Sequence, residues 1–231
     1  MALYTPGPMI GQASGRVGGT IFSRNRGGSY VRNGSLPSRV TSEKALNAKA
    51  YLSLASQAWS ALTAAQRLSW NTWAASKTVV NRLGRSISLN GQNWYVSLNT
   101  RLLAAGSAQI SAPPTDTAPA GVTITGFTVD AGTGDTELTF SPTPTAAGNA
   151  LWVRGCMVNS GAVTNVENLF TTLDITAAAV ASPLDLKSAL EAALGPILVG
   201  ATYHVEVRVL DLSTGMVSGR VLARTVAVST P

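Results

Sequence analysis

The sequence predicts an α+β chain of more than one module. An extended basic arm and a small helical cluster come first, then an antiparallel β-sandwich with one inserted helix. Three observations carry this prediction. Charge is divided along the chain: residues 1–115 hold twelve Lys/Arg and one acid, Glu43, whereas residues 116–231 hold five Lys/Arg and ten Asp/Glu. The apolar period changes from helical to two across residues 106–119. Residues 1–40 contain eight glycines and three prolines (Pro6, Pro8, Pro37), too many for a helix.

Within residues 1–40, the expected extended arm, two short runs have strand character, residues 19–22 and 29–32. Both are suited to adding onto a neighbouring sheet edge. A helical domain is expected over residues 41–105. From Thr41 the text reads TSEKALNAKAYLSLASQAWSAL, where Leu46, Ala50, Leu54, Ala58 and Leu62 recur at helical spacing. Thr41 or Ser42 can cap its start, with Glu43 in the first turn. Thr63 and Gln66 have the capping-box spacing, so a second helix starts there and carries Leu68, Trp70 and Trp73. A third spans residues 90–105, with Trp94, Leu98 and Leu102 on one stripe and Gly106 at its stop. Residues 106–119, GSAQISAPPTDTAP, have the composition of an extended linker.

Residues 120–231 read as strands at 122–129, 136–140, 150–158, 203–210 and 221–228, separated by Gly, Pro and Asp turns. In YHVEVRVL, Tyr203, Val205, Val207 and Val209 share one face, and His204, Glu206 and Arg208 the other. A helix is expected over 183–194, with Leu186, Leu190 and Leu194, ended by Gly195-Pro196. Short strands at this spacing imply a sandwich.

The run LVGATYHVEV at 198–207, followed by Asp211, Gly215 and Ser218, resembles strand F and the following turn of a fibronectin type III domain. The resemblance implies that the Tyr203 hydroxyl bonds back to the backbone at a tyrosine corner. Phe140 stands roughly where that family often has a tryptophan, and Trp152 lies in the expected third strand. The helix at 183–194 departs from the pattern and leaves the order of strands between 158 and 203 open.

Composition excludes several classes. Hydrophobic residues make up 45% of the chain, which argues against wholesale disorder. Charged residues are only 12%, about half the usual share, which fits a surface largely covered by partners and equally fits a Thr/Ala-rich extracellular β domain. The lone cysteine, Cys156, excludes an internal disulfide and cysteine-cluster metal sites; it reads as a small buried hydrophobe. The lone histidine, His204, excludes His-rich zinc sites and reads as a surface or rim residue. The amino-terminal text MALYTPGPMIGQ does not read as a secretory signal, so assembly in a reducing cytoplasm is expected. No membrane span, cofactor motif or catalytic constellation is visible, and the chain reads as a non-enzyme. Asp130, Asp135 and Glu137 flank a glycine-rich turn that reads as a solvated hairpin rather than a calcium loop.

Residues 15–32, GRVGGTIFSRNRGGSYVR, match neither dinucleotide-binding nor P-loop spacing and follow no hydrophobic strand. Thirteen of the seventeen basic residues are arginine, and Arg16, Arg24, Arg26, Arg32 and Arg39 all precede the first predicted helix. Arginine suits bidentate contacts and buried ion pairs. Interleaved with Ile21, Phe22, Tyr30 and Val31, these arginines read as partner anchors on an arm that is unstructured alone and orders on binding. Trp59, Trp70, Trp73 and Trp94 read as core rather than as base-stacking platforms.

The arm string, followed by Ala58-Trp59, Leu62-Thr63, Gln66-Arg67 and Trp70-Asn71, is similar to a group of structural proteins of tailed bacteriophages. It covers residues 11–75. The resemblance implies a virion protein, assembled in the host cytoplasm, whose partner is a capsid or other virion lattice and whose β domain is displayed. Capsid decoration or cementing is the favoured role, and a tail, collar or neck component is the alternative. Self-association under lattice symmetry is compatible with either. Two further readings are non-specific nucleic-acid binding through residues 1–105, for which the charge suffices, and binding of a host-surface glycan with Trp152 as a stacking platform.

Overall fold

The computed structural model describes residues 2–7, 12–25, 27–34, 42–81, 83–115, 117–133, 135–143, 145–161, 163 and 165–229. The chain is α+β, with four helices and several antiparallel sheets among the described residues. It divides into two compact units, the first of residues 1–100 with 111–113 and the second of residues 101–110 with 114–231.

The first unit opens with a sheet that the sequence did not announce as one. Strands β1 (Ala2–Tyr4), β2 (Gly15–Val17), β3 (Thr20–Asn25) and β4 (Gly28–Asn33) pair antiparallel in the order β1-β4-β3-β2. The expectation of an arm without structure of its own is therefore corrected. The two strand-like runs pair with each other rather than waiting for a foreign edge, Phe22 opposite Val31 and Ile21 opposite Arg32. Glycine makes this feasible. Gly18, at φ 57°, forms the two-residue connection from β2 to β3, where primed turns need a left-handed residue. At the β3–β4 turn the Asn25 side chain accepts the Gly27 amide at 2.9 Å.

Helices α1 (Glu43–Ala61) and α2 (Ala64–Ala75) meet at a corner. The Thr63 hydroxyl accepts the Gln66 amide at 3.3 Å, and the Gln66 side chain accepts the Thr63 amide at 2.9 Å, a complete capping box. Ser42 occupies the N-cap of α1 but makes no side-chain cap bond, and Thr41 lies outside the described residues. The predicted apolar stripe of α1 is rotated in the structure: Leu46, Ala50 and Leu54 are exposed, as is Leu68 of α2. Ala58 and Leu62 of that stripe do face inward, and Tyr51, Ala55 and Trp59 complete the inward face. Aromatic packing decides this, because Trp59 packs on Tyr95 at a tilt, ring centres 5.4 Å apart, and Tyr95 in turn meets Trp70 edge-on at 5.3 Å.

A short hairpin, β5 (Val79–Val80) and β6 (Ser86–Ile87), precedes α3 (Gly91–Ala104). Gly91 begins α3 against the α2 backbone. A Cβ there would lie 2.6–2.7 Å from Asn71 and Trp70 atoms, so only glycine permits the approach. Tyr95, Leu98 and Leu102 are buried along α3, and Gly106 closes it at φ 72°.

The second unit holds β7 (Thr123–Val129), β8 (Thr136–Ser141), β9 (Asn149–Val158), β10 (Thr171–Ile175), β11 (Leu184–Asp185), α4 (Lys187–Leu194), β12 (Thr202–Asp211) and β13 (Val221–Val226). One sheet has the order β11-β8-β7 and the other β10-β9-β12-β13, all pairs antiparallel. A single core takes side chains from both: Phe127, Leu138 and Phe140 from one, Leu151, Val153, Tyr203, Val205 and Val207 from the other, with Leu186 and Leu190 beside them. Strands β10 and β11 escaped the sequence reading, and β11 occupies the start of the expected helix, which begins at Lys187 instead. At the corner before β12 the Leu198 amide donates to the Tyr203 hydroxyl at 3.0 Å. Among the described residues no helix is long and apolar enough to cross a membrane.

Candidate functional site

The expected arm anchors are distributed over both faces of the first sheet. Alternation along the strands and the cross-strand register put Phe22 and Arg24 on one face, with Tyr4, Ser29 and Val31. Tyr4 and Phe22 pack edge-on there, ring centres 6.1 Å apart. Arg16, Ile21, Tyr30 and Arg32 occupy the opposite face. Arg26 and Arg39 lie outside the described residues. None of the described side chains of β1–β4 is buried: Ile21, Phe22, Tyr30 and Val31 are half-buried, and all of β2 is exposed.

Residues that the sequence reading did not single out complete one face. The β5–β6 turn is organised by Asn81, whose side-chain oxygen accepts the Leu83 and Arg85 amides at 2.9 and 3.0 Å. Its amide group donates to the Gly27 carbonyl at 3.0 Å, tying this turn to the β3–β4 turn. Arg85 reaches the Thr5 hydroxyl at 3.4 Å. A cleft of about 320 Å³ lies among these segments, lined by Tyr4, Arg24, Ser29, Arg85 and Ile87 among others. The signal that marks the hairpin in sequence is Gly84, left-handed at φ 74°, between Val79-Val80 and Ile87.

Arg67, Trp70 and Asn71 of the string at 58–71 have structural roles. Arg67 donates to the carbonyls of Ser60 and Leu62 at 2.8–3.0 Å, closing the C-terminus of α1 where four carbonyls lack helical partners. Asn71 accepts the Gly91 amide at 3.1 Å, and the Trp70 indole donates to the Ser111 carbonyl at 2.9 Å. Trp70 is fully buried, and Trp73 joins it to Trp94 through edge-on contacts. These tryptophans are used up in packing. Ser111 belongs to the segment read as a linker, whose described residues hold neither helix nor strand beyond Gly106.

In the second unit, the face of β12 bearing His204, Glu206 and Arg208 is less open than expected. Glu206 is buried and lies 3.4 Å from Arg154 and 2.8 Å from Arg208. Arg154 also donates to the Phe170 carbonyl and lies over that ring. His204 is half-buried with its Nε2 enclosed, and burial followed by the Arg224 charge lowers its pKa. Cys156 is buried with Val158, Val166 and Phe170, and burial raises its thiol pKa. Trp152 is half-buried and donates to the Thr172 hydroxyl. Asp130 accepts the Gly132 and Thr133 amides of the β7–β8 turn. Among the described residues no group of three or more His, Cys, Asp or Glu can hold a metal ion.

No protein-family model, curated protein or solved structure matches this chain.

Proposed function

We propose that the chain is a non-enzymatic structural protein of a phage virion. It docks on an assembled protein lattice through its first unit, as a decoration or cement protein of the head. The observation that carries this reading is a four-stranded sheet in which none of the described side chains is buried. A small sheet needs an apolar face covered by another element to be stable on its own terms. Half-buried Ile21, Phe22, Tyr30 and Val31 leave such cover to be supplied by a partner. Charge supports the same reading: the first unit has eleven Lys/Arg against Glu43 alone, a surface matched to an acidic partner.

For the second unit we propose a fibronectin type III-like sandwich. The strand order supports it, with β11 in the place of strand E and β10 in the place of C′, so the extra helix α4 falls between strands E and F. The bond from the Leu198 amide to the Tyr203 hydroxyl has tyrosine-corner geometry. Sandwiches of this kind serve as displayed modules.

The test is deletion of residues 1–40 in a phage that encodes the chain. The expected outcome is a shortened protein that retains the second unit's fold and is lost from purified particles. Shortened protein on particles at wild-type copy number would overturn the reading. The copy number itself separates a lattice cover from a neck or tail component.

A further inference from the structure

The cleft beside the β3–β4 turn is rich in hydrogen-bond donors and poor in charged acceptors. Arg24 and Arg85 line it, and no carboxylate does among the described residues. The ion pairs among the described residues engage Arg154, Arg208 and Arg220, and neither of these two. Tyr4 lines the cleft, and its hydroxyl is enclosed without a hydrogen-bond partner. Buried hydroxyls are seldom left unpaired, because the lost hydration is not recovered. Two arginines, and a tyrosine whose hydroxyl lacks a partner, therefore line a space without a carboxylate among the described residues.

The walls narrow the class of that acceptor. Beside the donors stand Pro6, Leu83 and Ile87, an apolar surface that suits an aliphatic stem. A phosphodiester chain has no such stem. Single-strand binders add stacking aromatics along a basic groove, but the tryptophans of this unit pack on one another and on Tyr95. Asn81 holds the two turns together and Arg85 reaches Thr5, so the turn that carries Arg85 is fixed before a ligand arrives.

We propose that this cleft receives an acidic side chain, glutamate or aspartate, from a partner protein segment. Its carboxylate would be held by Arg24 and Arg85 and would accept the Tyr4 hydroxyl. The inference rests on the reading of the first unit as a protein-docking unit, and it names the chemistry of one contact.

The experiment titrates the intact chain with an acetylated, amidated tetraglutamate peptide, following the arginine Nε–H and tyrosine resonances by NMR. The tetraglutamine peptide, inorganic phosphate and a short DNA duplex serve as parallel probes. The expected result is that tetraglutamate shifts Arg24, Arg85 and Tyr4 and tetraglutamine does not. R24Q with R85Q weakens binding by about tenfold or more, the scale of a lost charge-assisted hydrogen bond. Y4F, which removes only the unpaired hydroxyl and leaves the ring on Phe22, weakens it by a smaller factor and keeps the fold. Equal binding of the two peptides, or affinity unchanged in the double variant, overturns the proposal. Displacement of the peptide by phosphate or duplex at equal concentration also overturns it, assigning the cleft to phosphate. Particle co-sedimentation of the same proteins keeps the two readings apart. Peptide binding without particle association removes only the virion reading, and particle association without peptide binding removes only the cleft.

Discussion

The Tyr203 hydroxyl accepts the Leu198 amide at 3.0 Å, so a side chain in the core of the second unit holds the backbone of the connection that leads into its own strand. Tyr203 is 1% exposed and belongs to the same core as Val205, Val207 and Leu190, so its ring is held by packing and its hydroxyl by the Leu198 amide. Entry into β12 is thereby set by one residue that serves both packing and backbone satisfaction.

Tyr203→Phe keeps the ring and removes the acceptor. The expected cost is about 1 kcal/mol, the net contribution of one hydrogen bond, with faster amide exchange confined to residues 197–202. Urea denaturation and hydrogen exchange check it. An unchanged midpoint and unchanged exchange at Leu198 would show that the corner contributes nothing.

The α1–α2 corner gives a second measurement. Thr63→Ala removes the hydroxyl that accepts the Gln66 amide and is expected to destabilise the first unit by about 1 kcal/mol. Thr63→Ser keeps the cap and should restore most of the loss. Equal melting of the alanine and serine variants would remove the capping argument.

How much was legible in the sequence follows from what local rules can see. The Thr63–Gln66 box, the glycine stop at Gly106 and the alternation of Tyr203, Val205, Val207 and Val209 are short-range signals, and each stands where the text put it. The rotated face of α1 was not legible. Leu46 and Leu54 satisfy helical spacing as well as Tyr51 and Ala55 do, and the contact between Trp59 and a residue 36 positions later decides between them. Strand β10, TTLDI, is a short edge strand whose register shifts between Thr172 and Asp174, which erases its alternation. In the arm, the many glycines concealed the fact that two of the turns they permit join strands able to pair. The cleft depends on Asn81 meeting Gly27 across 54 positions, a relationship that no window of sequence contains.

Glu206 lies buried between Arg154 and Arg208, whose side chains remain about a third exposed. The asymmetry decides which substitution is worse. Removing both arginines strands a buried carboxylate, and the expected destabilisation is about 3 kcal/mol or more. Glu206→Leu leaves two cations that can turn toward water and adds an apolar group, so it should cost distinctly less. Thermal unfolding of the two variants is the check, and a larger loss for Glu206→Leu would reverse the argument.

Acid should weaken the second unit in two steps. Burial and the Arg224 charge lower the His204 pKa below its ordinary 6.5, so the unfolded chain takes up that proton first. The stability tied to neutral His204 is therefore present above pH 6.5 and declines as pH falls below it. At Asp211 burial pushes the carboxyl up, but hydrogen bonds from Ser213 and Thr214 outweigh it and leave the pKa below the ordinary 3.8. Its contribution persists through mild acid and is lost only as pH falls through that lowered value. The expected urea midpoint thus declines between pH 7 and 5 in the wild type, and His204→Gln flattens that segment while leaving the steeper loss below pH 4. A wild-type midpoint constant from pH 7 to 5, or an equal decline in His204→Gln, would refute the assignment to His204. Loss below pH 4 that survives Asp211→Asn unchanged would refute the second step.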